Sequence, residues 1–246
     1  MMNEFEISDF GLLSYFLGVE FEITKYETVM HQSKYAKDLL RRLNMQQSNS
    51  VEIPTKVGIL LEKETNGIGT IGFGVLFPKG EAEEEPELIG YSDSNWCGDK
   101  SDRKNIVGYI FFYGGAPISW SFTKELVVAL SSSEAEYIAT FEIACLAIWP
   151  EALMKDLQVD NLGKIKLVDN KSAIDLARHL ASHGRNKHIE TRFHFLRKQV
   201  NNEKVQIEHC RTKIQFVDIL TKALKLERFR WLRDSIGIVC VYATLN

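Results

Sequence analysis

Gly90-Tyr91-Ser92-Asp93-Ser94-Asn95-Trp96-Cys97-Gly98 decides the fold, because an apolar run beginning at Leu88 ends there on a carboxylate followed by turn-forming residues. A strand is expected to end here, offering Asp93 at its tip. Three later stretches present single acids in comparable settings. Glu136 opens a helical pattern after Ser131-Ser132-Ser133, Asp169 closes the run Lys164-Ile165-Lys166-Leu167-Val168, and Asp218 lies within Ile214-Gln215-Phe216-Val217-Asp218-Ile219-Leu220. Taken singly, each acid reads as a surface carboxylate or a helix cap. As an ordered set on four different elements they point to a divalent-metal site, since magnesium takes hard oxygen ligands and keeps several of its waters. If the strands ending at Asp93 and Asp169 are adjacent and parallel, both acids lie at carboxyl ends, where open α/β sheets place their ligands.

Outward from that stretch, the pattern after Leu88 runs strand, strand, strand, helix, strand, helices, strand, helix. Ile106 to Tyr113 and Pro117 to Phe122 form a hairpin across Gly114-Gly115. A helix follows from Ser132, with Ser131 and Glu134 spaced as a capping box, and Pro150 is expected to interrupt it. Glu136 rather than Glu134 heads the line Glu136, Ala139, Thr140, Ile143 and Ala147 that should face the sheet. Lys164 to Val168 reads as a strand, Ser172 to Leu180 and Ile189 to Val200 as helices, Val205 to His209 as a short strand, and Phe216 to Leu224 as the last helix. Trp96 and Trp120 offer rings for stacking on bases, with core packing expected of Trp120.

Upstream, Tyr15 to Ile23 alternates and Gln32 to Leu43 has helical period, with Ser33 as a candidate cap. Residues 1–57 therefore read as a small α+β piece. Residues 58–87, with glycines at 67, 69, 72 and 74 and glutamates around Pro86, have the composition of a linker, and 237–246 read as a tail.

The 246 residues are 45% hydrophobic and 26% charged, ordinary for a globular chain. The net charge of −3 hides an asymmetry: residues 178–230 hold 13 Lys or Arg against 5 Asp or Glu, leaving 17 against 28 elsewhere. A basic segment in an otherwise acidic chain is the footprint of a polyanion partner. Cys97, Cys145, Cys210 and Cys240 form no Cys-x-x-Cys pair, which suggests neither a zinc site nor a redox motif and fits free thiols. The acidic start is no signal peptide, and no stretch is expected to reach the ~18 apolar residues of a membrane span. A soluble intracellular protein, cytoplasmic or nuclear, is expected, with no membrane partner.

Asp93 with Trp96 and Gly98, Asp102-Arg103-Lys104, Ile118-Ser119-Trp120-Ser121, Ala129-Leu130-Ser131-Ser132-Ser133-Glu134-Ala135-Glu136-Tyr137, Asp169-Asn170-Lys171-Ser172-Ala173, Lys187-His188-Ile189-Glu190 and Asp218-Ile219-Leu220-Thr221-Lys222 follow one another in an order that resembles the ribonuclease H domain of Copia-type retrotransposon polyproteins. The resemblance covers roughly residues 88–236. Residues 1–57 resemble the end of the reverse transcriptase palm of the same polyproteins. The Tyr-x-Asp-Asp signature of the polymerase site is absent, as is the stretch that such proteins carry between the equivalents of Glu64 and Gly72, so the chain reads as an internally deleted fragment.

The resemblance implies a ribonuclease H-like mixed five-stranded sheet flanked by helices, and a metal-dependent endonuclease that hydrolyses the RNA strand of RNA-DNA hybrids. It implies two Mg2+ (or Mn2+) ions, with Asp93 bridging both, Glu136 and Asp169 sharing one, and Asp218 helping the other. Substrate contacts are expected from Lys104, Ser133 and Asn170 beside the acids, and from Arg185, Lys187, His188 and Arg197 on the basic stretch. Other segments of a retrotransposon polyprotein are the further partners implied. Members of the wider superfamily place a His in the loop before the last acid; here that loop is Cys210-Arg211-Thr212-Lys213, with His209 on the strand before it. Two other readings stay open: a catalytically decayed nucleic-acid-binding fragment, and a DNA nuclease or integrase-like enzyme on the same fold.

Overall fold

In the computed structural model, residues 12, 14–47, 72–79, 87–96, 104–125, 128–129, 131–159, 165–169, 174 and 187–241 are described, with backbone alone at 168–169 and 187–193. In chain order the elements are β1 (Tyr15–Phe16), β2 (Val19–Ile23), β3 (Glu27–His31), α1 (Ser33–Arg42), β4 (Phe73–Pro78), β5 (Leu88–Asn95), β6 (Ile106–Tyr113), β7 (Ala116–Lys124), α2 (Ser132–Asp156), β8 (Ile165–Asp169), α3 (Lys187–Asn201), β9 (Val205–His209), α4 (Asp218–Thr221), α5 (Leu226–Ile236) and β10 (Ile238–Cys240). They fall into two units, one of residues 1–51, 68–80 and 237–246, the other of 52–67 and 81–236.

The first unit is an antiparallel sheet in the order β1-β2-β3-β4-β10, accompanied by α1. The alternating stretch expected as one strand is a hairpin, because Leu17 and Gly18 take positive φ (47° and 86°) and fold β1 back onto β2. Two sequence expectations are corrected here. Within the 58–87 linker, Phe73–Pro78 is a strand, and within the 237–246 tail Ile238–Cys240 pairs with it, at Ile238 to Val75 and Cys240 to Phe73. The reason is that Val75, Leu76 and Phe77 outweigh the neighbouring glycines once a partner strand is present, and local composition cannot reveal a partner about 160 residues away. Ser33 is not the helix cap either: Gln32 holds that position without a side-chain bond, and the Ser33 N–H donates to His31 Nδ1.

The second unit is a five-stranded mixed sheet in the order β7-β6-β5-β8-β9, with β5, β6 and β7 antiparallel and β5, β8 and β9 parallel. This strand order, with a long helix between the hairpins and the first parallel strand, is the ribonuclease H-like α/β arrangement that the sequence resemblance implied. Gly114 and Gly115 close the β6–β7 hairpin with positive φ (56° and 79°), the primed-turn geometry that matches the twist of two strands. Ile106, Val107, Ile110, Phe111 and Phe112 make β6 buried on both faces, as a central strand should be.

Alternation divides β5 between the two faces. Leu88 and Gly90 face α2, where Phe111, Ile143, Ala144, Ala147, Leu167, Leu196 and Ile207 complete the main core. Gly90 is required there: a methyl group would lie 2.7 Å from Phe111 Cε1 and 2.9 Å from Ile143 Cδ1. Tyr91 faces the other way and meets Phe112 and Phe216 edge-on, with ring centroids 5.6 and 4.8 Å apart.

Ser131 caps α2 as expected, accepting from the Glu134 N–H at 3.1 Å. Pro150 does not end the helix, which runs unbroken to Asp156 with Pro150 buried. The carbonyl deprived of its partner is that of Leu146, an exposed residue, so water can take the place of the missing N–H. By length and composition α2 is apolar enough to cross a membrane, with mean hydropathy 1.3 and half of that window buried, which corrects the expectation that no stretch would reach this size. The last helix also differs. In place of one helix over Phe216 to Leu224 there is the single turn α4, then α5, whose Phe229, Leu232 and Ile236 are buried. Trp120, expected in the core, is 50% exposed on the edge strand β7. The helix expected over Ser172 to Leu180 lies outside the described residues, apart from the buried Ile174.

Candidate active site

The site is built on the face of β5 away from α2. Asp93 and Gly108 are register partners on β5 and β6, and Gly108 leaves the room in which α4 sits. A methyl group there would come within 2.8 Å of Val217 Cγ1 and 2.9 Å of Thr221 Cγ2. Three hydrogen bonds then stitch this short helix and the residues leading into it to β5. Gln215 Nε2 donates to the Ser92 carbonyl at 2.8 Å, Asn95 Nδ2 to the Thr221 carbonyl at 3.0 Å, and Thr221 Oγ1 to Asp93 Oδ2 at 2.6 Å. The stitching compensates for a helix too short to hold its place by backbone bonds alone.

As a result Asp93 and Asp218, 125 residues apart in sequence, are buried close to one lysine. Lys222 Nζ donates to Asp93 Oδ1 at 3.0 Å and to Asp218 Oδ1 at 2.7 Å. The second oxygen of Asp218 faces Arg228 Nη2 at 3.5 Å, and Arg228 donates in turn to the carbonyls of Thr212 and Lys213. Burial alone would lower the Lys222 pKa; the negative charge of Asp93, with the hydrogen bond and charge of Asp218, outweighs burial and raises it above 10.5.

The strand pairing settles where the backbone of the third acid lies. Tyr91 pairs with Val168 across the parallel β5 and β8, so Asp93 and Asp169 both stand at carboxyl ends of neighbouring strands. The side chain of Asp169 lies outside the described residues. Glu136 lies in the first turns of α2, half-buried, and Ala139, Thr140, Ile143 and Ala147 of its line are all buried. Among the described residues, no three His, Cys, Asp or Glu side chains converge as a metal-binding group. The structure thus brings Asp93 and Asp218 together and puts the backbone of Asp169 alongside.

The donor set nonetheless suits a hard divalent cation, since carboxylate oxygens from two elements already converge on one positive centre. Asp93 and Asp218 are the pair that the structure brings together to hold it.

Of the expected substrate contacts, Lys104 is half-buried just before β6, and Ser133 half-buried in the first turn of α2. Arg197 is half-buried on α3, close enough to Tyr137 for its charge to oppose the rise that burial imposes on that phenol's pKa. The side chains of Lys187 and His188, and all of Asn170 and Arg185, lie outside the described residues. His209 is exposed at the end of β9, in register with Asp169. Trp96 is fixed by its indole N–H, which donates to the Ala129 carbonyl at 3.2 Å.

Lys222, Thr221, Gln215, Asn95 and Gly108 received no role from sequence reasoning. A signal existed for Lys222, which follows Asp218 by four residues and so lies on the same helical face. The others depend on pairing between distant elements.

No protein-family model matches the chain. It is 34% identical over 154 residues, 63% of its length, to the retrovirus-related Pol polyprotein from transposon TNT 1-94 of Nicotiana tabacum, of which it spans 12%. Against the Pol polyprotein from transposon RE1 of Arabidopsis thaliana it is 28% identical over 297 aligned positions, covering 98% of this chain and 20% of that protein. The chain has only 246 residues, so at least 51 of those 297 positions face gaps in it. The crystal structure of ribonuclease H1 from Halobacterium salinarum NRC-1 superposes with a TM-score of 0.29 at 13% identity, covering 51% of this chain and 86% of that one. The chain is homologous to the retrovirus-related Pol polyproteins of plant transposons over most of its length, and spans a fifth or less of the length of these curated relatives.

Proposed function

We propose that the second unit is a metal-dependent endonuclease that hydrolyses the RNA strand of RNA-DNA hybrids, within a chain that lacks the polymerase site. The observation that carries this reading is the arrangement of acids at one end of the sheet: Asp93 and Asp169 at the carboxyl ends of adjacent parallel strands, and Asp218 held against Asp93 by α4 and Lys222. Homology to Pol polyproteins supports it, because those proteins are named for retroviral-type elements.

Asp93, Glu136, Asp169 and Asp218 are the residues that would hold two Mg2+ or Mn2+ ions, and such ions supply an activated water and charge neutralisation at the phosphodiester. The chain's own contribution is positioning. Thr221 fixes the orientation of the Asp93 carboxylate through its 2.6 Å hydrogen bond, and Gln215 and Asn95 fix the height of α4 above the strand. Lys104, Ser133 and Asn170 flank the acids in sequence or across the sheet end, where they reach ribose hydroxyls and phosphates in a shallow minor groove. Arg185, Lys187, His188 and Arg197 supply the positive surface that holds the duplex backbone.

A specific observation favours a second reading. The 51 or more positions that the chain lacks relative to RE1, together with the Lys222 ammonium lying between Asp93 and Asp218, fit a binding fragment without turnover. A single assay separates the two. The purified chain is incubated with an RNA-DNA hybrid, and separately with duplex DNA, in Mg2+, Mn2+ or EDTA. The nuclease reading expects RNA-strand cleavage of the hybrid alone, abolished by EDTA; hybrid binding with no cleavage in either metal selects the binding fragment, and cleavage of duplex DNA selects a DNA nuclease.

A further inference from the structure

Two cations touch the paired acids, and they are held differently. Arg228 is anchored, its guanidinium donating to the carbonyls of Thr212 and Lys213 and lying over the Trp231 ring at 4.9 Å from the centroid. Among the described residues the Lys222 ammonium bonds to the two acids alone, and its side chain is 41% exposed. It stands one residue past α4 on a flexible four-carbon stem, with open solvent to swing into. Its ammonium nevertheless lies between Asp93 Oδ1 and Asp218 Oδ1, at 3.0 and 2.7 Å, where a cation shared by the two carboxylates would lie.

Resting on the metal-dependent reading above, we propose that Lys222 is a built-in counterion that holds the cation position between Asp93 and Asp218 and leaves it when a divalent ion enters. Two buried carboxylates this close repel one another unless a positive charge lies between them. Lys222 supplies one, keeping α4 seated and the acids converged while no metal is bound. A divalent ion must then displace one unit of charge to gain two ligands, so the lysine weakens metal affinity while preserving the geometry that receives the metal. Arg228 stays with Asp218 Oδ2 in both states. Lys222 is on this account a positioning residue, and its signature is an effect of opposite sign in the presence and absence of metal.

The test uses the full chain as wild type, Lys222→Met, Lys222→Gln and Asp93→Asn, with Mn2+ titrated calorimetrically and thermal melts recorded in EDTA and in saturating Mn2+. Removing one positive charge from between two half-shielded carboxylates is expected to tighten Mn2+ binding about tenfold. The same variants are expected to melt below wild type in EDTA, with the gap closing or reversing in saturating Mn2+. Lys222→Gln, which keeps a polar head, covers the case in which Lys222→Met does not fold. Equal or weaker Mn2+ affinity in the Lys222 variants, with Asp93→Asn having lost binding, overturns the counterion role and leaves the metal reading intact. Absence of Mn2+ binding from all four proteins overturns both. A melting deficit of the same size in EDTA and in Mn2+ reduces Lys222 to an ordinary surface ion pair and also overturns the proposal.

Discussion

The two faces of β5 differ in what they bury and in what holds them. Under α2 the strand contributes Leu88 and Gly90 to a packed apolar core, where contact is non-directional and complementarity of shape is the constraint. On the other face Tyr91 packs in an aromatic cluster, and two residues further on Asp93 sits among directed bonds from Thr221 and Lys222. One strand therefore carries both the core and the candidate chemistry, and the period of two is what separates them. The lesson is that the apolar face can be rigid because the polar face is tied to it through the same backbone, so that substitutions on the two faces should fail in different ways.

Gly90→Val attacks the packed face and should have the largest effect on stability. The added Cβ alone meets Phe111, Ile143 and Leu167 at 2.7 to 3.0 Å, and overpacking of this kind costs about 3 kcal/mol. Denaturant unfolding of the second unit would register it, and a loss under about 0.5 kcal/mol would mean that the α2 face yields easily. Gly108→Val attacks the polar face through its floor. Val217 and Thr221 must move to admit it, so a cost of about 2 kcal/mol is expected together with weakened Mn2+ binding as Asp218 is lifted from Asp93. Unchanged metal binding in that variant would detach α4 from the site.

Asp93→Asn should be milder in stability and more severe in function. Thr221 can still donate to the amide oxygen, but Lys222 loses a charged partner, and for an ion pair with one exposed member the cost is about 1 kcal/mol in EDTA. Metal binding and hybrid cleavage should vanish together, while a variant that cleaves at the wild-type rate would remove Asp93 from the site. The smallest change in fold is expected of Arg185→Ala, Lys187→Ala and Arg197→Ala combined, which should leave the melting temperature nearly unchanged. Hybrid affinity should fall, and the slope of log affinity against log salt should flatten by about 2. An unaltered slope would mean that these side chains do not meet phosphate.

What could be read in advance follows the range of the cause. Alternation in Leu88 to Asn95, the Gly114-Gly115 turn and the Ser131 cap are local, and the elements they imply are present with nearly the expected bounds. The order of strands also followed, once the resemblance linked those elements. Causes that act across the chain stayed hidden. The pairing of β4 with β10 joins residues on either side of 81–236, so neither segment announces itself by composition. Gly90 and Gly108 look like ordinary strand glycines until the atoms that approach them are known. Trp120 read as core from its chemistry, but β7 is an edge strand and leaves the ring half exposed. In the candidate site Asp93 and Asp169 stood out as carboxylates closing apolar runs, and both runs are strands. Lys222 was not, although it stood in the same quoted stretch as Asp218, because a lysine four residues after an acid reads first as a solvated helix pair.

The anomalous scattering of Mn2+ in crystals of the full chain soaked with that ion decides whether the end of β5 is the proposed divalent-metal site with Asp93 and Asp218 among its ligands. A peak is expected within coordination distance of Asp93, between it and Asp218 or Asp169, with Lys222 Nζ withdrawn from the position it holds at 3.0 and 2.7 Å from the two acids. Ordered crystals in saturating Mn2+ that show no peak at Asp93, with Lys222 still bridging the carboxylates, would contradict that assignment.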